Sequence, residues 1–519
     1  MERRTFIQKS SLFSASLLAG RKLPFAMNFY PEDTSALRHL ASASSFPNVF
    51  IPEKKRIPLG WKSMPVVSAQ SGEAPTILYF NSLDSKAINS PVYLRITAAL
   101  DFREEKIIRV YLPESGIELG LLVMKFAHPF QPFEIPIETK YLKEIRKQGV
   151  ALTMSQGNTE AWFFRENADV KNNQGLQPHL LAGGSKDKLQ AFEENLYSMN
   201  SFSPFGWMGG CVLDALYELH LQGDEQASET LKLHLSHFLD DDKGIIFENP
   251  HTVPLDGTFN SIEDFLPLTA IAGLYPNHIS LEKGLSFMLE HQNENGIILN
   301  GDITTEGCYT LAYPLAALAV IKKDASLAQV ALDQLSSRMQ HLTIESGQTS
   351  AIFQRADLEG KQSYRNWGRG VAWYLLGSVK TYRLLDTNGY GRTEDLAKVK
   401  AFLAFHIPWI VKLQNRKGMW SAYLDRPETG IDTSATAGIA AAIAWCCQVD
   451  ILEKKKYLPM AEKAYEGLQS HLSEDGFLRN VSQINRGGEE LQSSGYRVIS
   501  QFGMGLMAQL KAAIYQAKA

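Results

Sequence analysis

Cysteine is scarce: four in 519 residues, Cys211, Cys308, Cys446 and Cys447. None belongs to a Cys-x-x-Cys pair or to a Cys/His cluster with zinc spacing, and adjacent cysteines rarely bridge one another. All four lie in apolar helical contexts and are expected to be buried small hydrophobes, although an oxidising compartment leaves a structural bridge open. The 12 histidines are scattered without paired carboxylate spacing, so neither a metal nor a cofactor is expected. Charge of one sign is not in excess either, with 52 Lys and Arg against 56 Asp and Glu. No basic stripe is present to neutralise phosphates, which excludes nucleic acid as an expected partner. The apolar run near the start, Leu12 to Leu18, is diluted by serine and too short to span a bilayer, so no stable membrane insertion is expected. What remains is an ordinary globular composition, 45% hydrophobic and 21% charged, long enough for two or three domains.

The chain begins Met1-Glu2-Arg3-Arg4-Thr5-Phe6-Ile7-Gln8-Lys9. Paired arginines ahead of a short apolar run read as an export signal of twin-arginine type over residues 1–25, which predicts an exported, periplasmic protein. Arg21-Lys22 interrupts any small-x-small cleavage site.

Between residues 40 and 170 the texture is that of strands. The runs PTILYF, PVYLRITAAL, KIIRVYLP, IELGLLVMKF, FEIPI and VALTM are separated by turn residues such as Asn81, Pro91, Pro113, Gly116 and Gly157. This spacing predicts an antiparallel β-sandwich, serving for packing or dimerisation in preference to sugar binding.

From residue 185 to residue 519 about twelve amphipathic helices follow. Short joints at Gly223-Asp224, Pro276-Asn277 and Lys322-Lys323-Asp324 alternate with long loops at 241–260, 293–305, 342–366, 415–431 and 473–494. Such alternation predicts helical hairpins side by side with all long loops on one face. A polar turn, a glycine and an apolar pair open most of the long loops: Asp242-Lys243-Gly244-Ile245-Ile246, Glu294-Asn295-Gly296-Ile297-Ile298, Arg416-Lys417-Gly418-Met419-Trp420 and Glu474-Asp475-Gly476-Phe477-Leu478. Glycine there is expected to end a helix in left-handed geometry. A repeat of this length suits a closed toroid of six hairpins, an (α/α)6 barrel, making the chain mainly α. The segments starting near Trp207, Ser261, Glu306, Trp367, Asp432 and Gly495 are rich in Ala, Gly and aromatics and poor in charge, as an inner ring would be. Their N-termini should line one end of the central cavity, where loops and positive helix ends converge on a ligand.

Two motifs stand at those entrances. Tyr364-Arg365-Asn366-Trp367-Gly368-Arg369-Gly370-Val371-Ala372-Trp373 offers indoles to stack on a sugar ring and guanidiniums to pair with a carboxylate. Burial of Arg369 without a partner would be costly, so a partner is implied. Asp425 to Ala437 opens the fifth inner helix, where Asp432 or Thr433 can cap it and where capping is the first role expected of Thr433 and Ser434.

The pair NWGRGVAW and GIDTSATAGIAAAI resembles the W-G-R-G-x-x-W and E-T-S-x-S-A segments of glycoside hydrolase families 88 and 105. The segment Glu306-Gly307-Cys308-Tyr309-Thr310-Leu311-Ala312-Tyr313-Pro314-Leu315-Ala316 is similar to their D-G-L-Y-M-x-x-P-F-L-A motif. The resemblance spans roughly residues 200 to 515 and implies an (α/α)6 barrel that removes unsaturated uronic acids from oligosaccharides. The residue heading D-G-L-Y-M in those families is the catalytic aspartate. Here Glu306 stands in its place, with one extra residue before the proline, and Asp302 competes for the role. The second family carboxylate has its counterpart in Glu263 or Asp264.

The resemblance implies hydration of the substrate's C4–C5 double bond: an acid protonates C4, water adds at C5, and the hemiketal falls apart. One carboxyl must stay protonated near neutral pH, which aromatic walls and a second carboxylate can bring about. Glu306 is expected as that acid with Asp264 as its partner, Arg369 or Arg497 as the holder of the uronate carboxylate, and Trp207 and Trp367 as stacking platforms. Tyr309, Trp373, Thr433 and Ser434 complete the candidate substrate contacts, together with His251, which keeps a polysaccharide lyase open. Two further readings compete. The Asp-to-Glu change and the β domain fit a β-glucuronidase acting on saturated glucuronides, with the layout of family 154, and loss of the acid would leave a sugar-binding barrel. The expected partner is an oligosaccharide containing uronic acid; a dimer is left open.

Overall fold

Alternation of apolar with polar residues builds the first part of the chain, in which β-branched and aromatic side chains suit a pleated, half-buried surface. The computed structural model describes residues 37–83, 91–166, 173–183, 187–299, 301–346 and 349–519; the expected export segment at 1–25 lies outside them. The strands are Leu37–Leu40 (β1), Ala43–Ser45 (β2), Ser63–Val66 (β3), Thr76–Tyr79 (β4), Val92–Thr97 (β5), Glu105–Tyr111 (β6), Glu118–Lys125 (β7), Pro132–Ile137 (β8), Val150–Gln156 (β9), Ala161–Phe164 (β10) and His179–Ala182 (β11), with a short helix, Leu142–Gln148 (α1), leading into β9. The six runs read from sequence are β4 to β9. They assemble into two antiparallel sheets, ordered β2-β4-β9-β6-β7 and β1-β11-β5-β8, beside the pair β3-β10. In β6 every second residue, Lys106, Ile108 and Val110, is buried. Strand β11 lies past residue 170, yet it sits inside its sheet between β1 and β5, with Leu180 opposite Leu94.

The helices that follow are Lys188–Leu196 (α2), Trp207–Leu221 (α3), Glu225–Ser236 (α4), Leu268–Leu274 (α5), Ile279–Glu290 (α6), Tyr313–Lys322 (α7), Ala325–Leu342 (α8), Gly368–Thr387 (α9), Thr393–Val411 (α10), Thr433–Gln448 (α11), Lys454–Gln469 (α12), the short Gly488–Ser493 (α13) and Gln501–Lys518 (α14). Helix α3 touches α5, α5 touches α7, α7 touches α9, α9 touches α11, α11 touches α14, and α14 touches α3 again. Helices α4, α6, α8, α10 and α12 each pack on the inner helix that precedes them, while α14 lies against α12 and against α2. The difference between the layers is compositional. Every residue of α11 from Thr433 to Cys447 is buried, whereas α12 buries only the stripe Tyr457, Leu458, Ala461, Ala464 and Leu468.

The four turn glycines Gly244, Gly296, Gly418 and Gly476 all have positive φ, between 77° and 86°. An added Cβ at Gly418 would sit 2.4 Å from the carbonyl oxygen of Lys463, so close approach of the next helix also requires glycine there. All four cysteines are buried and unbridged. Two inner segments begin differently from expectation. Ser261 opens a 3-10 turn, Ile262–Asp264, and α5 starts only beyond Pro267. Gly495 lies in a loop, because Arg497–Val498 pairs with Val481–Ser482 before α14 begins at Gln501. Residues Ala36–Ala519 form one compact unit, and the sheets and helices share a continuous apolar core. Among the described residues no helix is long and apolar enough to cross a membrane.

Candidate active site

The starts of the inner helices surround a pocket. Glu263, Glu306, Trp207, Trp367, Arg369 and Trp373 line it, and Arg103, Met208, Pro250, Ile484, Asn485 and Arg486 complete its wall.

Glu306 is placed by strand pairing. Ile303–Thr304 pairs with the end of the strand Thr349–Ala356, and the Thr305 N–H donates to the Gln354 carbonyl at 2.9 Å. The chain then turns into a helix, which leaves the Glu306 carboxylate beside the Gln354 amide. Nε2 of Gln354 donates to Oε1 at 3.1 Å and to Oε2 at 2.9 Å. The helix runs through a π segment, Cys308–Ala312, into α7. A π turn takes up one more residue than an α turn, which accounts for the extra residue between Glu306 and Pro314. Gly377 of α9 makes room for it, since a Cβ there would lie 2.3 Å from the Cys308 carbonyl.

Glu263 and Asp264 are neighbours that face different ways, as successive residues of a 3-10 turn must. Asp264 closes a capping box: Oδ2 accepts from the N–H of Asn260 at 2.7 Å and of Ser261 at 2.9 Å. Burial lifts its carboxyl to about 6 against those two donors. Asp264 is therefore a structural cap, and the expectation that it partners Glu306 gives way to Glu263. Burial, reinforced by Glu306, pushes the Glu263 carboxyl up to about 7, with Arg486 and Arg355 opposing. The spacing Ser261-x-x-Asp264 is itself a capping signature that distinguishes the two residues from sequence.

The aromatic wall is continuous. Trp207 meets Trp373 edge to face at 5.6 Å between centroids, and Trp373 stacks on Tyr309 at 5.8 Å. Asn366, in left-handed conformation with its Oδ1 accepting from the Ile352 N–H at 3.0 Å, turns the chain so that Trp367 reaches the pocket. Trp367 Nε1 donates to Gln492. Arg369 is buried, and among the described residues no carboxylate is bonded to it. Its guanidinium donates to the carbonyls of Ser482 and Gln483 and lies over Trp367 (4.7 Å), Phe502 (5.2 Å) and Trp207 (5.9 Å). Desolvation lowers it to about 10. The partners implied by its burial are thus backbone carbonyls and aromatic faces, while its buried Nε makes no hydrogen bond among the described residues of the pocket lining.

The remaining candidates lie elsewhere. Asp302 pairs with Arg355 at 3.2 Å outside the pocket. His251 is exposed on its loop. Tyr309 points inward, donating its hydroxyl to Asp214 and accepting from Gln509 Nε2 at 2.8 Å. Thr433 donates to the Arg479 carbonyl at 2.8 Å, while Ser434 donates to Asp432, the residue that caps α11. Arg497 is bound by the carbonyls of Ile431, Thr429 and Tyr496. Reading from sequence missed Gln354, Arg103 and Arg486, which come from a strand and two loops with no motif of their own. No group of three or more His, Cys, Asp and Glu among the described residues is placed to hold a metal ion.

Residues 315–516 match the profile of Glycosyl Hydrolase Family 88, a stretch that includes Trp367 and Arg369 and leaves out both pocket carboxylates. The chain is 25% identical over 155 residues to the unsaturated rhamnogalacturonyl hydrolase YesR of Bacillus subtilis (29% of this chain, 42% of that protein). It is 29% identical over 143 residues to the unsaturated 3S-rhamnoglycuronyl hydrolase of Formosa agariphila (27% of this chain, 36% of that protein). These matches span less than half the length of either relative. The fold is similar to that of a possible member of the GH105 family from Klebsiella pneumoniae, with TM-score 0.55 and 18% identity over 64% of this chain and 94% of that one. A second such structure, from Salmonella enterica, gives a TM-score of 0.54 with 18% identity over 64% of this chain and 93% of that one. The chain resembles glycoside hydrolase families 88 and 105.

Proposed function

We propose that this chain is an exported glycoside hydrolase that removes a terminal unsaturated uronic acid from oligosaccharides, built as an (α/α)6 barrel over residues 185–519 behind a β-sandwich at 40–170. The observation that carries the reading is the pair Glu263 and Glu306 in an aromatic-walled pocket, with Glu263 pushed up to about 7 by burial and by Glu306. The resemblance to families 88 and 105 supports it. Glu306, both of whose oxygens accept from the Gln354 amide, stands as the base of the pair. Glu263 gives its proton to C4 of the bound uronate, water adds its oxygen to C5, and Glu306, oriented by Gln354, takes the proton that the water releases. The C5 hemiketal then opens and frees the remaining sugar. Proton transfer within the pair, or through water, restores the starting state. This reverses the expected roles, in which Glu306 was the acid. Trp207, Trp367 and Trp373 offer faces for the sugar ring.

The test incubates the purified full chain with unsaturated uronyl disaccharides and, separately, with aryl β-glucuronides. Release of the second sugar together with loss of the ultraviolet absorbance of the conjugated double bond is the expected result. Cleavage of the saturated glucuronides alone would replace the reading with a β-glucuronidase, and binding without cleavage of either substrate would replace it with a sugar-binding barrel.

A further inference from the structure

The β-rich part contributes a side chain to the pocket. Arg103 lies between β5 and β6, and Arg486 lies in the loop that precedes α13; both line the same cavity as the two glutamates. Arg103 is fixed by a buried scaffold. Its Nε donates to Asp101 Oδ2 at 3.1 Å, and Nη2 donates to the carbonyl of Pro250. Asp101 is 6% exposed and also binds Lys55 Nζ at 2.7 Å and the hydroxyl of Thr252. Thr252 is fully buried, in left-handed conformation, and its carbonyl accepts from the Arg56 N–H at 2.9 Å. Two loops from different parts of the chain are thereby locked together, and the group they present at the pocket is Arg103.

In the ion-paired scaffold behind Arg103 the charges do not cancel. One carboxylate, Asp101, faces two cations, Lys55 and Arg103. Arg486 adds a third and makes no hydrogen bond or ion pair among the described residues. Inside the pocket Arg369 gives part of its guanidinium to backbone carbonyls, and Glu263 and Glu306 supply the carboxyl groups of the lining. Two guanidiniums held at one mouth repel each other unless an anion lies between them.

We infer that Arg103 and Arg486 form a clamp for an anionic group of the oligosaccharide, a carboxylate or a sulfate, and that they set the preference for acidic sugars. This deepens the proposed function and rests on it for the nature of the substrate. The anion's source is either the terminal uronate itself or the sugar next to it.

The test titrates the full chain calorimetrically with glucuronate, its methyl ester and inorganic sulfate, in the wild type and in Arg486→Gln, Arg103→Gln and Arg103→Lys. Arg486 is exposed, so its variant is expected to fold. Loss of a charge-assisted contact should weaken glucuronate by about 10-fold or more in Arg486→Gln and Arg103→Gln. Arg103→Lys should recover part of the loss, and the ester should bind equally weakly to all four proteins. Kinetics then separate the sources. A rise in KM with kcat retained, on substrates with either a neutral or an acidic second sugar, assigns the clamp to the terminal uronate; a rise confined to the acidic second sugar assigns it to the neighbour. Unchanged glucuronate affinity and unchanged KM in Arg486→Gln would overturn the clamp while leaving the proposed reaction intact. Arginine-dependent anion binding by a chain that cleaves no uronide would do the reverse.

Discussion

Two clusters of buried carboxylates lie within the same set of inner helices, one at their starts and one along their second halves. At the starts, Glu306 is bonded by an amide, Glu263 forms no ion pair among the described residues, and burial drives Glu263 up to about 7. Further along, Glu218 of α3 accepts Arg383 Nη1 and Nη2 at 3.0 and 2.9 Å and lies 3.0 Å from Lys380 Nζ, which also holds Asp214 at 2.6 Å. There Arg383 and Lys380 outweigh burial and bring Glu218 down to about 2. The same side chain is thus raised at the pocket and lowered in the second cluster. Partner charge and burial act together, since Asp214, although held by Lys380, is still raised by burial.

The largest effect that would sharpen this contrast is on rate. Glu306→Gln should lower turnover of an unsaturated uronide by about a thousandfold or more, within the range for acid–base groups, with the urea midpoint unchanged. An equal loss of rate per folded molecule in Glu218→Gln would break the contrast. Next in size, Lys380→Met takes the cation from buried Asp214 and leaves Glu218 to Arg383, and should cost about 3–5 kcal/mol in denaturant unfolding, with kcat of the folded fraction retained.

A smaller effect separates the clusters by pH. Glu263 has a folded value of about 7 against an ordinary 4.5. Its protonated form is therefore favoured by folding, and the associated stability is complete below about pH 4.5 and lost as pH rises through about 7. Glu263→Gln should match the wild type in acid and exceed it above neutrality by up to about 3 kcal/mol, read from urea unfolding across pH. Glu218 runs the other way, its contribution present above about pH 4.5 and lost as pH falls towards 2. The smallest change tests positioning. A Cβ on Gly370 would lie 2.9 Å from Gln354 Cβ and 3.0 Å from Trp367 Cε3. Gly370→Ala should shift the Gln354 amide off Glu306 and lower kcat by about 10-fold, with KM little altered.

Much of the helical part was legible because its cues are local. The short and long joints alternate, and each turn glycine sits where a left-handed residue is required. Six of the strands were legible for the same reason, while β1, β2, β3, β10 and β11 lacked a strong enough run. Glu306 could be read from its motif, but its partner turned on which of two adjacent carboxylates caps a turn. Arg103 and Arg486 were invisible, since they meet across more than 380 residues of chain (103 to 486) and no local pattern encodes that meeting. Arg369 was read correctly as buried and needing partners; that these are carbonyls and ring faces follows only from the fold.

The closing contact of the inner helices has a consequence for biogenesis. Helix α14 completes the circuit by lying between α11 and α3, and its outer companion α2 comes from the opposite end of the helical part. Contacts of such sequence separation carry the entropy cost of closing a long loop before they are rewarded. Until α14 docks, the alanine-rich flank of α11 and the face of α3 it covers stand open to water, and Phe502 is not yet beside Trp207 and Arg369. The surroundings of the pocket are therefore complete only with α14 docked, so catalytic activity during refolding is expected to lag helix formation and report on closure of the whole chain.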